Sequence, residues 1–167
     1  GYTVTWAVGH LVTLCEPDEI DEKYKKWRMA DLPMLPETLP TKVISKTKKQ
    51  FTIVKKLINA PDTERLICAT DAGREGELIF YYIYQQAKCK KPVDRLWISS
   101  MTDEAIREGF AQLKPDSEYE GLRKSAVCRS EADWLVGMNA SRAFTLRYDV
   151  LLSVGRVQTP TLAILVK

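Results

Sequence analysis

Three carboxylates lie within seven positions of the chain, at Asp71, Glu75 and Glu77, and they follow the apolar run Leu66–Ala69. An apolar run that stops at a carboxylate and a glycine-containing turn predicts a strand followed by a helix. Ligands bind at strand ends in open α/β sheets, and carboxylates bridge a hard cation to phosphate, so the pattern indicates Mg²⁺ and phosphate. A structural interpretation fits equally well: Asp71 caps the helix, and both glutamates stabilise its first turn through the helix dipole.

The second half of the chain carries four arginines that could contact phosphate, at Arg123, Arg129, Arg142 and Arg147. Arg129 and Asp133 are four residues apart and share a face if this segment is helical. A salt bridge there could hold the guanidinium group for a phosphate, and a plain surface pair fits the same spacing.

A glycine-bearing loop occupies Ser153–Pro160. Thr159 is predicted to cap a short helix, with Pro160 at its first position. A helix N-terminus beside Arg156 suits a phosphate group.

Hydrophobic periodicity predicts the elements that position these residues. Alternation predicts a strand over Tyr2–Val8, ending at Gly9–His10, and another over Val93–Ile98. Apolar residues at helical spacing predict an amphipathic helix over residues 44–58, whose lysines form a solvated face or, alternatively, contact nucleic acid. Thr102 is predicted to cap a further helix. Strands that alternate with helices indicate an α/β fold with a parallel sheet flanked by helices.

Two further segments have their own signatures. Ser117 and Glu120 have capping-box spacing and are predicted to open a long, mainly helical segment that reaches about Arg147. Residues 17–40 contain four prolines and are predicted to form an irregular surface excursion. Four apolar residues are expected to hold it to the body: Trp27, Leu32, Met34 and Leu35.

Composition limits the class of protein. The 167 residues are 45% hydrophobic, which allows a core and one domain plus part of another, and a net charge of +3 means that nucleic-acid contacts must come from local clusters. Four scattered cysteines and the single histidine, His10, argue against zinc and for reduced thiols in a cytoplasmic protein. No apolar run approaches the roughly 20 residues that span a bilayer. The chain begins with Gly1 rather than methionine, so we expect it to be a piece of a longer protein.

Several segments together resemble the type IA DNA topoisomerases, and within them the topoisomerase III branch. The segments, in chain order, are Gly9–Leu11, Tyr24–Trp27 with Asp31–Pro33, Ala69–Glu77, Arg129 with Ala132–Trp134, Ser141–Ala143, and Ser153–Pro160. They span nearly the whole chain. Tyr24–Pro33 indicates the branch, and Ser153–Pro160 is the most specific element.

The resemblance implies a toprim domain over residues 1–114, without its first strand, followed over residues 115–167 by the start of a helical domain that binds single-stranded DNA. It assigns Asp71 and Glu75 to a Mg²⁺ site and adds Arg74, which would neutralise phosphate charge, to the catalytic set. The residues that it assigns to DNA binding are His10, Arg129, Asp133, Arg142, Arg147, Ser153, Val154, Gly155, Arg156, Val157 and Gln158.

In such enzymes a tyrosine from another domain attacks a DNA phosphate, forms a 5′-phosphotyrosyl link and allows strand passage before resealing. None of the seven tyrosines here matches that motif, so we expect this chain alone to be inactive. Gly73 also replaces an aspartate found in many members of the family. The resemblance further implies a helicase partner for the parent enzyme and no association with membranes.

Two rival interpretations remain. Another toprim enzyme, a primase or nuclease, would share the acidic strand end but lack the Ser153–Pro160 loop. A non-catalytic nucleic-acid-binding protein would use arginines together with tryptophans as stacking surfaces. The tryptophans, however, are predicted to lie mostly where a core needs bulk; they are Trp6, Trp27, Trp97 and Trp134.

Overall fold

A computed structural model describes residues 1–166. Five short strands are present: β1 (Val12–Leu14), β2 (Thr41–Val43), β3 (Leu66–Cys68), β4 (Val93–Arg95) and β5 (Lys114–Pro115). Six α-helices accompany them: α1 (Pro17–Ile20), α2 (Lys48–Ile58), α3 (Arg74–Gln86), α4 (Asp103–Ala111), α5 (Glu120–Tyr148) and α6 (Gln158–Leu165). This mixed α/β architecture, with small sheets flanked by helices, confirms the predicted fold class.

The strands form two small sheets, one of β1 with β2 and one in the order β3-β4-β5. β3 and β4 run parallel, with Leu66 opposite Val93 and Cys68 opposite Arg95, as the alternation of strands and helices predicts. β5 is antiparallel to β4, so the second sheet is mixed rather than purely parallel. Pro115 lies in this two-residue edge strand, where the missing N–H of proline is tolerated.

The described chain forms two compact units. Unit 1 comprises residues 1–13 and 41–127, and unit 2 comprises residues 14–40 and 128–167. The expected domain boundary at residue 114 stays a prediction. In unit 1, the predicted amphipathic helix is confirmed as α2, which buries Phe51 and Val54. The predicted cap at Thr102 is confirmed as well, because its hydroxyl accepts a hydrogen bond from the Ala105 N–H at 3.3 Å.

The predicted strand over Tyr2–Val8 is wrong. These residues have no regular secondary structure, and Tyr2, Val4, Trp6 and Val8 expose 62–82% of their surface. Alternation describes which side chains share a face, whereas a strand also needs a neighbouring backbone with which to form a ladder. Within residues 1–166 no strand supplies that ladder to this segment.

In unit 2, the irregular excursion is held by helix α5. The Asn139 side chain accepts a hydrogen bond from the Met34 N–H at 2.6 Å and donates to the Met34 carbonyl at 3.1 Å, and Met34 is fully buried. Met34 therefore anchors the excursion as predicted. Leu35, also predicted to anchor it, is 68% exposed.

Two predicted caps are wrong because the side chains have other positions. Ser117 lies inside a 3₁₀ turn, Asp116–Tyr119, that precedes α5, so it does not cap that helix. Helix α6 begins at Gln158, and the Thr159 hydroxyl accepts a hydrogen bond from the Gly155 N–H at 3.0 Å instead of capping. In both cases a tight turn extends the helical segment toward the N-terminus, beyond the polar residue that could have capped it.

Candidate functional site

The candidate site in unit 1 lies where β3 ends and the chain turns into α3. Asp71 comes three residues after the end of β3, and its side chain is exposed. Its carboxylate forms no hydrogen bond or ion pair with any other residue of the described chain, so it does not cap α3. The carboxylate is therefore free to bind a ligand.

The first turn of α3 adds a second carboxylate, which a histidine holds. His10 Nε2–H donates a hydrogen bond to Glu75 Oε1 at 2.5 Å. The two side chains are 34% and 71% exposed, so they remain accessible to ligands. The fold thus brings together two residues that are 65 positions apart and for which the family resemblance implied different roles, DNA binding and metal binding.

Beneath this surface, a buried arginine fixes the backbone that presents Asp71. Arg95, on β4, is fully buried, and its Nε donates to the Glu77 carboxylate at 2.6 Å. Its terminal nitrogens donate to four carbonyl oxygens: Cys68 at 3.0 Å, Thr70 at 2.7 Å, Asp71 at 2.6 Å and Leu96 at 2.8 Å. Since three of these carbonyls belong to the end of β3 and the following turn, Arg95 determines the path of the chain into Asp71.

Sequence reasoning missed this arginine and misjudged its partner. The sequence pattern groups Glu77 with Asp71 and Glu75 as a possible cation ligand, but Glu77 is fully buried and paired with Arg95. The available signal was the position of Arg95 inside the predicted strand Val93–Ile98, because a charge at a buried strand position requires a counter-charge. Burial also raises the pKa of the Cys68 thiol, and the nearby Arg95 charge opposes this shift.

A glycine in α3 allows the turn to pack against the helix. A Cβ atom at Gly76 would lie 2.0 Å from the Asp71 carbonyl oxygen, so only glycine fits there without a backbone shift. The Thr70 hydroxyl donates to the Gly76 carbonyl at 2.8 Å and closes the turn. Gly73 differs, since its φ of 174° is extended backbone open to any residue and a Cβ would meet nothing within 4 Å.

The donor set at this strand end fits a hard divalent cation of the kind that the fold family implies. The carboxylate of Asp71 is free, and Glu75 has one oxygen, Oε2, that is not bonded to His10. Carboxylate oxygens with several retained waters are what Mg²⁺ prefers. No group of three histidine, cysteine, aspartate or glutamate side chains within residues 1–166 is placed to hold a metal ion.

Unit 2 contains the loop predicted to bind DNA. The Ser141 hydroxyl accepts a hydrogen bond from the Val154 N–H at 2.9 Å and donates to the Val154 carbonyl at 3.2 Å. The Gln158 side chain donates to the Ser153 hydroxyl at 3.2 Å. These bonds fix the loop on α5 and leave Ser153, Val157 and Gln158 exposed.

The predicted Arg129–Asp133 pair is present but loose, with 3.9 Å between Arg129 Nε and Asp133 Oδ2. Arg156 donates to the same carboxylate at 2.8 Å, so Asp133 connects α5 to the loop. All three side chains are exposed, and exposed pairs of this kind contribute about 0–1 kcal/mol. Both guanidinium groups are therefore available to an anion at little energetic cost.

The other two arginines predicted to contact DNA lie in different environments. Arg147 is exposed near the end of α5. Arg142 is only 7% exposed: it donates to the Tyr24 carbonyl at 2.7 Å, and the Trp27 ring lies 4.9 Å from its guanidinium carbon. Burial lowers the pKa of Arg142, and the charges of Asp18 and Glu16 act in the opposite direction.

The prediction that the tryptophans mostly fill the core is wrong. Only Trp134 is buried; its indole N–H donates to the Cys15 carbonyl at 2.9 Å. Trp6, Trp27 and Trp97 are 65%, 41% and 40% exposed. Their apolar character predicted burial, but each lies on or beside irregular backbone that does not cover it.

Two families match this chain. Residues 1–101 match the Toprim domain, and residues 117–167 match the DNA topoisomerase family. The Toprim match covers more than half of the chain, so the chain belongs to the Toprim domain family. The acidic strand end described above lies within that match.

The particular resemblance is to DNA topoisomerase 3. The chain is 57% identical to the DNA topoisomerase 3 of Bacillus cereus (strain ATCC 14579) over 98% of its own length and 22% of the relative. It is 54% identical to the corresponding Bacillus subtilis (strain 168) protein over 99% of its length and 23% of the relative. The inferred resemblance to the topoisomerase III branch is confirmed, and the chain spans less than a quarter of these relatives.

Proposed function

We propose that this chain is the toprim and early helical part of a type IA DNA topoisomerase, which cleaves, passes and reseals single-stranded DNA. The observation that carries the proposal is the unpaired Asp71 carboxylate, four residues from a Glu75 carboxylate that His10 holds. Similarity to DNA topoisomerase 3 over nearly the whole chain supports it.

At the acidic strand end, Asp71 and Glu75 would hold Mg²⁺, which when bound supplies positive charge next to a DNA phosphate. His10 orients the Glu75 carboxylate through its hydrogen bond and would contact the DNA strand. Arg74 is exposed at the start of α3 and would neutralise phosphate charge. Arg95 is fully buried and would act on the site only by positioning Asp71 through its backbone carbonyl.

In unit 2, the loop Ser153–Gln158 and the exposed arginines would bind the backbone of single-stranded DNA. Arg129 and Arg156 share the Asp133 carboxylate, and a phosphate could take over either guanidinium group. Arg147 is exposed and could make a similar contact. Arg142 would reach phosphate only after the Trp27 ring moves off its guanidinium group.

The nucleophile of the intact enzyme would be a tyrosine from another domain, which forms the 5′-phosphotyrosyl link. This chain alone would then neither relax DNA nor form a covalent adduct. We further propose that the toprim domain ends at residue 114, that the parent enzyme is cytoplasmic and that it has a helicase partner. No helix within residues 1–166 combines the length and apolar composition needed to cross a bilayer.

A relaxation assay on the intact parent enzyme, with negatively supercoiled plasmid and Mg²⁺, tests the proposal. The parent should relax the plasmid, the Asp71→Asn variant should lose most activity, and residues 1–167 alone should have none. Asp62→Asn is the matched control, because Asp62 is an exposed acid outside the turn, and it should retain activity. Nicking or primer synthesis without a covalent protein–DNA link would favour a nuclease or primase instead, and relaxation by residues 1–167 would contradict the missing nucleophile.

A non-catalytic single-strand-binding function is the second candidate, favoured by the exposure of Trp6, Trp27 and Trp97. Base stacking would quench tryptophan fluorescence on addition of an oligothymidine. Substitution of Trp6, Trp27 or Trp97 by leucine would then weaken binding by about 1–3 kcal/mol per stacked base. An intact parent that binds DNA in this way but never relaxes it would favour this candidate.

A further inference from the structure

Helix α2 and the 3₁₀ turn before it, Ser45–Thr47, carry a concentration of positive charge that the site described above does not use. Five lysines lie between residues 46 and 56, at Lys46, Lys48, Lys49, Lys55 and Lys56. All five are exposed, and no aspartate or glutamate occurs from Thr41 to Pro61. None of the five forms an ion pair or hydrogen bond through its side chain with another residue of the described chain. This part of unit 1 therefore presents uncompensated positive charge.

Helix stability does not account for this arrangement. Lys48 and Lys49 occupy the first turn of α2, where positive charge opposes the helix dipole and acidic residues are preferred. That turn has no acidic residue, and Thr47 provides no side-chain cap. Only Lys55 and Lys56, in the last turn, favour the dipole. The charges at the start of the helix thus need another explanation.

An open groove lies beside these lysines and is lined by residues of β2, of α2 and by Asn59, which follows α2. Its volume is about 580 Å³, and its exposed surface is almost wholly apolar. The lining residues are Val43, Lys48, Phe51, Thr52, Lys55, Lys56 and Asn59. Lysine stems contribute apolar methylene groups while their ammonium groups remain in water, so the groove has an apolar floor and a cationic rim.

We propose that this groove binds an acidic peptide segment that carries a large apolar side chain. The apolar side chain would lie against Val43 and the methylene stems of Lys55 and Lys56, and the flanking carboxylates would face the ammonium groups of Lys48, Lys55 and Lys56. The charge complementarity steers association, and burial of the apolar side chain supplies affinity. This binding is independent of the DNA chemistry proposed for the strand end.

The lining favours a peptide over nucleic acid. A phosphate backbone would bind the lysines and leave the apolar floor uncovered. The lining also contains no arginine that could form a forked contact with phosphate, and its one aromatic residue, Phe51, is only 6% exposed and offers no stacking face. An apolar floor is useful only to a ligand with an apolar group.

Fluorescence anisotropy of the full 167-residue chain with labelled peptides tests the proposal. The probe is the acetylated hexapeptide Asp-Glu-Phe-Asp-Glu-Leu, and its control replaces Phe and Leu with Ser at unchanged charge. The probe should bind, and the serine control should bind roughly tenfold more weakly, because the apolar contacts are lost. The double variant Lys55→Glu/Lys56→Glu should also weaken probe binding by roughly tenfold or more.

Lys25→Glu/Lys26→Glu is the matched control, because it makes the same charge change at two consecutive exposed lysines outside the groove. This variant should bind the probe as tightly as the unaltered chain does. Circular dichroism should show unchanged helix content and melting for both double variants; if Lys55→Glu/Lys56→Glu is misfolded, Thr52→Asp tests the same floor. Three outcomes overturn the proposal: equal binding of both peptides, displacement of the probe by an oligothymidine, or loss of binding in the Lys25/Lys26 variant.

Discussion

Two arginines, one in each unit, differ in what surrounds them. Arg95 in unit 1 is fully buried, paired with Glu77 and hydrogen-bonded to four carbonyl oxygens. Arg156 in unit 2 is exposed, and its Nε donates to the carboxylate of Asp133 at 2.8 Å. The same side chain therefore organises backbone in one unit and remains available in the other.

The difference shows how environment determines the role of a charged group. A buried arginine must satisfy its donors inside the protein, so it becomes part of the framework and cannot leave to bind a ligand. An exposed arginine exchanges partners with water and anions at little cost. Arg142 is intermediate between these two cases. It is buried like Arg95, but it has no carboxylate partner, and its Nε lacks any hydrogen-bond partner within the described chain.

The largest expected effect is at the buried pair. Arg95→Met should lower the free energy of unfolding by about 3–5 kcal/mol, because it leaves Glu77 buried without its counter-charge. Urea denaturation followed by circular dichroism measures this change. Arg65→Met is the control: Arg65 pairs with Asp94 but is 59% exposed, so the loss should be about 0–1 kcal/mol. Equal losses at both sites would remove the contrast between framework and surface arginines.

A smaller loss is expected where the turn packs against α3. Gly76→Ala should destabilise the chain by about 1–3 kcal/mol, since its Cβ would overlap the Asp71 carbonyl. Gly73→Ala, three residues earlier, meets no atom within 4 Å and should stay within about 0.5 kcal/mol of the parent. Thermal melts of the two variants give the comparison. A harmless Gly76→Ala would mean that the turn is not held against the helix.

Gly73→Asp should strengthen Mg²⁺ binding by roughly tenfold, because it adds a third carboxylate at an extended position that accepts a side chain without strain. Calorimetric titration of the intact parent enzyme with Mg²⁺ measures the affinity. Asp71→Asn should abolish the gain. If Asp71→Asn leaves the parental affinity unchanged, Asp71 does not bind the ion.

The smallest expected effect concerns the exposed arginines of unit 2. Arg156→Ala should flatten the slope of log affinity against log salt for single-stranded DNA by about 0.7, as expected for the loss of one phosphate contact. Arg129→Ala should do the same. Anisotropy titrations at several salt concentrations give the slopes, and unchanged slopes for both variants would mean that the contacts of Arg129 and Arg156 with Asp133 are purely structural.

Arg142→Ala separates the two kinds of arginine most directly. It should lower stability, because it removes the hydrogen bond to the Tyr24 carbonyl and the contact with Trp27. A flattened salt slope in addition would show that Trp27 moves and that Arg142 reaches phosphate. Lowered stability with an unchanged salt slope would mean that Arg142, like Arg95, has a structural role.

Local sequence determined the elements around the candidate site. The run Leu66–Cys68 forms a strand, Gly73 precedes a helix, and the apolar spacing of residues 44–58 predicts the buried face of α2. These features depend on neighbours a few residues away, through side-chain periodicity and backbone preference. For the same reason the family segments, which are local patterns, were sufficient to identify the Toprim family.

Tertiary structure alone decided which charges are buried and which strands pair. Glu77 has the same local pattern as Glu75, yet one pairs with Arg95 in the interior and the other with His10 at the surface. Residues 2–8 alternate like a strand but have no ladder partner within the described chain. Both outcomes depend on residues distant in sequence, because solvation of a charge and hydrogen bonding of a strand are set by whatever the fold places beside them.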